Sequence, residues 1–152
     1  MSGYLEFTDL LIVEDNPHDV ELMLRAWRRR GIKVSYHVVE DGVLALDYLY
    51  GRGAYEGRDT GRQPKAVLLD LKLPRLNGLE VLGIVKKDDR LRRIPVVVLT
   101  SSREERDLRE AYRLGANSYI RKPVDFERFL QAVGQLGLYW LSLNEPSDPT
   151  AR

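Results

Sequence analysis

At 152 residues, with 24 Lys plus Arg against 23 Asp plus Glu and a net charge of +1, the chain has the length of one domain and no charge excess of the kind a nucleic-acid or anionic-membrane partner draws. The absence of cysteine removes disulfide staples and the thiolate ligands of zinc and iron–sulfur sites. Residues Met1-Ser2-Gly3-Tyr4-Leu5-Glu6 do not read as a signal peptide and no apolar run approaches the ~18 residues of a membrane span, so a cytoplasmic protein with no membrane or direct nucleic-acid partner is expected.

The first apolar run, Leu10-Leu11-Ile12-Val13, ends on Glu14-Asp15. Asn16 then has the chemistry of an N-cap and Pro17 that of a first helical residue. Val20, Met23, Leu24 and Trp27 follow at helical spacing, Arg28-Arg29-Arg30 suit the last turn, and Gly31 stops the helix. Val34, Tyr36 and Val38 alternate with polar residues, as in a half-covered strand near a sheet edge. Asp41 is placed to cap a second helix bearing Leu46, Leu49 and Tyr50, and the glycine-rich stretch 51–64 is expected to be a mobile surface loop without chemistry.

Ala66-Val67-Leu68-Leu69 has the continuous apolar character of a strand buried on both faces, and it stops on Asp70. Beyond Asn77-Gly78, Val81, Leu82 and Val85 mark a third helix, closed by charged residues at 86–90 in which Asp88 and Asp89 are expected to be solvated. Pro95 introduces Val96-Val97-Val98-Leu99, ending on Thr100. Ser102-Arg103-Glu104-Glu105 has the form of a capping box for a fourth helix that Gly115 ends. A fifth strand, Asn117 to Ile120, stops at Lys122-Pro123, and Phe126, Phe129, Leu130, Val133, Leu136 and Trp140 stripe a last helix before a disordered tail at 145–152.

Five uninterrupted strand–helix units predict an α/β fold: a doubly wound, five-stranded parallel sheet in the flavodoxin-like order 2-1-3-4-5 with five helices, occupying residues 1–144. In that order Glu14, Asp15 and Asp70 converge at the switch point between strands 1 and 3. Three carboxylates in one place call for a cation, and an all-oxygen set suits Mg²⁺. Thr100 and Lys122 reach the same rim, so the parts fit an anionic tetrahedral ligand, with Asp70 able to act as the nucleophile in forming an acyl phosphate.

Four segments, Leu-Ile-Val-Glu-Asp-Asn-Pro at 11–17, Leu-Leu-Asp-Leu-Lys-Leu-Pro at 68–74 with Asn-Gly at 77–78, Val-Val-Val-Leu-Thr-Ser at 96–101 and Gly-Ala-Asn-Ser-Tyr-Ile-Arg-Lys-Pro at 115–123, together resemble a response-regulator receiver domain of two-component signalling. The resemblance implies Asp70 as phospho-acceptor and Asp15, with Glu14 beside it, as Mg²⁺ ligand together with the Lys72 carbonyl. It implies that Thr100 and Lys122 contact the phosphoryl group, that Tyr119 is the switch aromatic, and that Lys122-Pro123 is cis. The donor is then a histidine kinase, and the chain catalyses only its own phosphorylation and dephosphorylation. The loop before strand 3, Lys-Pro-Val-Asp-Phe at 122–126 and Leu138-Tyr139-Trp140-Leu141 resemble the single-domain regulators paired with bacterial phytochromes.

Against this, Glu40-Asp41 repeats the acidic dipeptide, but strand 2 is not beside the switch point and Asp41 reads as a cap. His18 and His37 read as surface or cap residues. Leu22, off the apolar stripe of helix 1, is a candidate kinase contact, and Leu138 and Tyr139 are candidates for a homodimer or partner surface. Output is expected to be protein–protein, because no DNA-binding module follows the last helix. Two alternatives differ in kind: a binding module that works without phosphorylation, and an FMN carrier, for which the acidic end of strand 1 is the wrong phosphate cradle.

Overall fold

The computed structural model describes residues 9–29, 31 and 35–122. Strands β1 (Leu10–Val13), β2 (Tyr36–Val39), β3 (Ala66–Asp70), β4 (Val96–Thr100) and β5 (Ser118–Arg121) form one sheet in the order β2-β1-β3-β4-β5, and every neighbouring pair is parallel. Helices α1 (Pro17–Arg29), α2 (Gly42–Tyr50), α3 (Gly78–Lys87) and α4 (Glu105–Leu114) connect them. The doubly wound order is therefore as expected. Val34, Arg30, Pro123, the expected fifth helix with Leu138 and Tyr139, and the expected tail lie outside the described residues.

Strand alternation divides the core in two. Leu11, Val13, Val67, Leu69, Val96 and Val98 face α2, α3 and α4, whereas Leu10, Ile12, Ala66, Leu68, Val97, Leu99 and Ile120 face Val20 and Trp27 of α1. The same parity governs the strand ends. Glu14 and Lys122 lie two residues beyond Ile12 and Ile120, and Asp70 two beyond Leu68, so all three fall on the α1 side; Thr100 and Tyr119 fall on the other. Helix α1 begins as expected, the Asn16 carboxamide oxygen accepting the amides of His18 and Asp19 at 2.9 and 3.4 Å.

Several local expectations are corrected. Residues 51–64 carry local structure, a short 3-10 turn at Gly53–Tyr55 and one buried anchoring side chain. Arg58 is the reason: it is buried, stacks over the Tyr48 ring at 4.0 Å, and donates to the Tyr48 carbonyl at 2.7 Å and to Gln63 Oε1 at 2.5 Å. His37 is likewise no surface residue. Its ring stacks on Tyr48 at 4.9 Å and shares a 2.7 Å hydrogen bond with the Tyr55 hydroxyl, and burial holds it below the usual histidine range. Glycines advertise freedom, but one buried guanidinium with several acceptors overrides them. Arg58→Ala, which orphans the Tyr48 carbonyl and unpins the loop from α2, is expected to cost about 2–3 kcal/mol in urea unfolding.

Asp88 is also not simply solvated, since it accepts from the Tyr50 hydroxyl at 2.6 Å and the Arg90 amide at 2.7 Å. The capping box expected at Ser102 is absent: α4 starts at Glu105 behind Glu104, whose side chain caps nothing. The reciprocal box sits instead at α3, between Asn77 and Glu80. β5 begins at Ser118, because Asn117 spends both its amide and its side chain on Val96, at 2.9 Å each.

Candidate functional site

The site is built at the carboxyl ends of β1, β3, β4 and β5. Val13 pairs with Leu69 and Asp70 with Leu99, so Glu14 and Asp70 leave adjacent strands side by side. Oxygens of Glu14, Asp15 and Asp70 all lie within 4.8 Å of one another, with Asp15 exposed and the other two buried. Lys122, whose amide donates to the Thr100 carbonyl at 2.7 Å, sends Nζ to Glu14 Oε1 at 2.5 Å, Asp19 Oδ2 at 2.9 Å and Asp70 Oδ2 at 3.2 Å. Asp70 Oδ1 accepts the Lys72 amide at 3.2 Å.

The electrostatics follow from burial. Glu14 rises to about 7: burial raises it, the hydrogen bond and charge of Lys122 oppose this, and Asp70 pushes it up again. Lys122 moves above its usual range, because the bonds to Asp19 and Glu14 and the Asp70 charge outweigh the burial that would lower it. One ammonium thus faces four carboxylates, counting Asp15. The donors left at the mouth are hard oxygens, which fit a divalent cation such as Mg²⁺ and no thiophilic metal.

The β3–α3 turn is held by contacts that sequence reasoning did not supply. Arg75, at φ 68°, makes two bonds to the Asp41 carboxylate at 3.0 and 3.2 Å. Asp41 also caps α2 by accepting the Leu44 amide at 2.8 Å, so it is an anchor and not a rival metal ligand. The close approach is visible at Gly42, where a Cβ would stand 2.0 Å from the Leu76 carbonyl oxygen.

Thr100 is fully buried, its hydroxyl oxygen accepting the Ser102 amide at 3.0 Å. Ser102 Oγ donates to Asp107 Oδ2 at 2.5 Å and accepts the Glu104 amide at 3.3 Å. The Tyr119 hydroxyl is buried on the same side, and burial followed by the Asp107 charge raises its pKa. Asp107 therefore ties the start of α4 to the residue next to the Thr100–Ser101 step. Asp107→Ala is expected to cost about 1 kcal/mol and to speed amide hydrogen exchange at residues 101–107 while β1, β3 and β4 stay protected.

The structure thus brings Glu14, Asp15, Asp70, Thr100 and Lys122 to one rim, with Lys72 beside them and Tyr119 on the α4 side. Leu22 is 49% exposed on α1, as its position off the stripe requires. Asp19 and Asp107 were missed. The available signal was an acidic residue in the first turn of the helix after each acidic or hydroxyl-bearing strand end.

Comparisons with known proteins agree with this geometry. The probable methanogenesis regulatory protein FilR2 of Methanothrix harundinacea is 45% identical, with 92% of this chain and 88% of that one aligned. The bacteriophytochrome response regulator AtBRR superposes with a TM-score of 0.80 at 51% identity, covering 92% of this chain and 99% of its own. The Mn²⁺-bound form of response regulator Rcp1 gives 0.72 at 33% identity over 92% and 99% of the two chains, and the phosphorylated cyanobacterial phytochrome response regulator RcpA gives 0.73 at 36% over 90% and 96%. The family profile described as response regulator receiver domain covers residues 10–134, from the first residue of β1 through every residue of the site, and the chain belongs to that family.

Proposed function

We propose that the chain is a Mg²⁺-dependent phospho-acceptor switch whose nucleophile is Asp70. The observation that carries this reading is the Asp70 carboxylate at the end of β3, between the acidic group at the end of β1 and the Lys122 ammonium. A bound divalent cation supplies charge neutralisation for Asp70 and for the incoming phosphoryl oxygens. Asp15, Glu14 and Asp70 would hold it, together with the Lys72 carbonyl. The Asp70 oxygen attacks phosphorus of the donor phosphohistidine, the P–N bond breaks, and the kinase imidazole leaves with the electron pair. Lys122 and Thr100 then bind the oxygens of the transferred group.

The switch follows from parity. Thr100 moving toward the phosphoryl group gives up the Ser102 amide, and Tyr119, on the same face, shifts with it against α4. Such a bias requires contacts that differ between two conformations, and the Thr100–Ser102–Asp107 chain supplies them. Output passes through protein contacts, including a homodimer.

The donor we favour is a histidine kinase of the bacterial-phytochrome kind, supported by the AtBRR and RcpA likenesses. Leu22 on α1 is the candidate contact to that kinase. Intact-chain mass spectrometry with acetyl phosphate and Mg²⁺ tests the chemistry: one phosphoryl group is expected, and none when a chelator is present from the start. Phosphotransfer from a panel of kinases tests the partner, and preference for a non-phytochrome class would overturn that part alone.

A further inference from the structure

Lys122 has three ammonium protons and three carboxylate acceptors, at 2.5 Å (Glu14), 2.9 Å (Asp19) and 3.2 Å (Asp70). Two of these acceptors, Glu14 and Asp70, are also members of the close acidic group that reads as the cation site; Asp19 is not. The lysine and a divalent cation therefore draw on the same two carboxylates. An ammonium held on Glu14 and Asp70 offsets the negative charge that would draw a metal there, so the two cations oppose each other.

Asp19 differs from its competitors in place as well as in role. It is the third residue of α1, positioned from the Asn16 cap, and its side chain is 32% exposed, against 5% for Glu14 and 8% for Asp70. It stands at the rim of the site while the other two stand inside. A lysine released from the inner pair without a second acceptor would swing into water and lose its orientation toward Asp70.

We propose that Asp19 is a positioning residue that retains Lys122 when a divalent cation takes Glu14 and Asp70, so that the ammonium yields to the metal yet stays aimed at the site. This rests on reading Glu14, Asp15 and Asp70 as the cation site. A purely local role, an acidic side chain complementing the start of α1, predicts a stability change and nothing more. A purely long-range role, a negative charge near the metal, predicts an effect independent of Lys122.

The test is a double-mutant cycle on the full chain with Mg²⁺ alone as the probe, read by titration calorimetry in Asp19→Asn, Lys122→Met and the double variant. Asp19→Asn is expected to weaken Mg²⁺ binding by at least about threefold more when Lys122 is present than when it is Met. Asp19→Glu is expected to recover most of the loss. As a second measurement needing no Lys122 variant, the slowly exchanging Lys122 ammonium signal in ¹⁵N spectra is expected to persist on adding Mg²⁺ to the wild-type chain and to vanish in Asp19→Asn. Equal factors in the two backgrounds, tighter Mg²⁺ binding by Asp19→Asn, or an ammonium signal indifferent to residue 19 would each overturn the proposal and leave the cation site standing. Failure of the wild-type chain to bind Mg²⁺ at all overturns the site reading and the proposal with it.

Discussion

Asp70→Asn is expected to abolish Mg²⁺-dependent phosphorylation, by at least ~100-fold in initial rate, and at the same time to make the metal-free protein more stable. The first effect follows because an amide offers no charged oxygen for attack on phosphorus. The second follows because Glu14, Asp15, Asp19 and Asp70 crowd one lysine, so deleting a charge relieves repulsion worth on the order of 1 kcal/mol at short range.

The pH dependence carries the same signature. Glu14 holds its proton up to about 7 in the folded chain against an ordinary 4.5, so the folded state binds the extra proton in that interval. The stability that Glu14 contributes to the metal-free protein is therefore lost as pH rises from 4.5 toward 7. Asp70 is one of the charges that raise Glu14, and Asp70→Asn is expected to flatten that slope. Urea unfolding in chelator at several pH values measures the stability, and intact mass measures the phosphoryl group. An Asp70→Asn chain phosphorylated to the same yield, or one less stable than wild type without metal, contradicts the assignment.

Gly78→Ala is expected to be severely damaging to the strand end that carries Asp70. The new Cβ would stand 2.3 Å from the Asp70 carbonyl oxygen and 2.6 Å from Leu71 Cα, both backbone atoms at the end of β3. Neither can rotate away, so either α3 lifts off or the strand end carrying Asp70 is displaced. We expect a loss of about 3 kcal/mol or more in urea unfolding, with phosphorylation falling further than the unfolded fraction explains. Gly83→Ala is the control: in the same helix its Cβ would lie 3.7 Å from a Leu114 methyl, an ordinary contact, and the exchange is expected to stabilise by about 0.5–1 kcal/mol. Equal effects at the two positions would remove the steric account of Gly78.

The elements that could be read from the chain alone were those whose signal is local. Leu10–Val13, Ala66–Asp70 and Val96–Thr100 are apolar runs buried on both faces, and such runs have one stable use in a chain this size. Asn16-Pro17 and Asp41 announce helix starts through backbone chemistry within three residues. Once strand order is inferred, Glu14, Asp70, Thr100 and Lys122 must meet, because parallel strands put all their carboxyl ends on one side.

What stayed hidden depends on partners far away in sequence. The loop at 51–64 reads as mobile until Arg58 is seen buried beneath it and bonded to Tyr48. Asp41 reads as a helix cap, but its second role, binding Arg75 34 residues on through both its oxygens, does not show in the sequence. Ser102 has the spacing of a capping box, yet its hydroxyl goes to Asp107. Asp19 was one acidic residue among 23 Asp and Glu, and its place in the first turn of α1 does not say what it binds. Its meaning comes from a lysine 103 residues away whose third proton needs an acceptor. Strand alternation and helix caps are written into neighbouring residues because they are satisfied by neighbouring backbone. The choice of which carboxylate holds which cation is made by distance and burial, and those exist only once the sheet has brought the ends of β1 and β5 together on either side of Asp70.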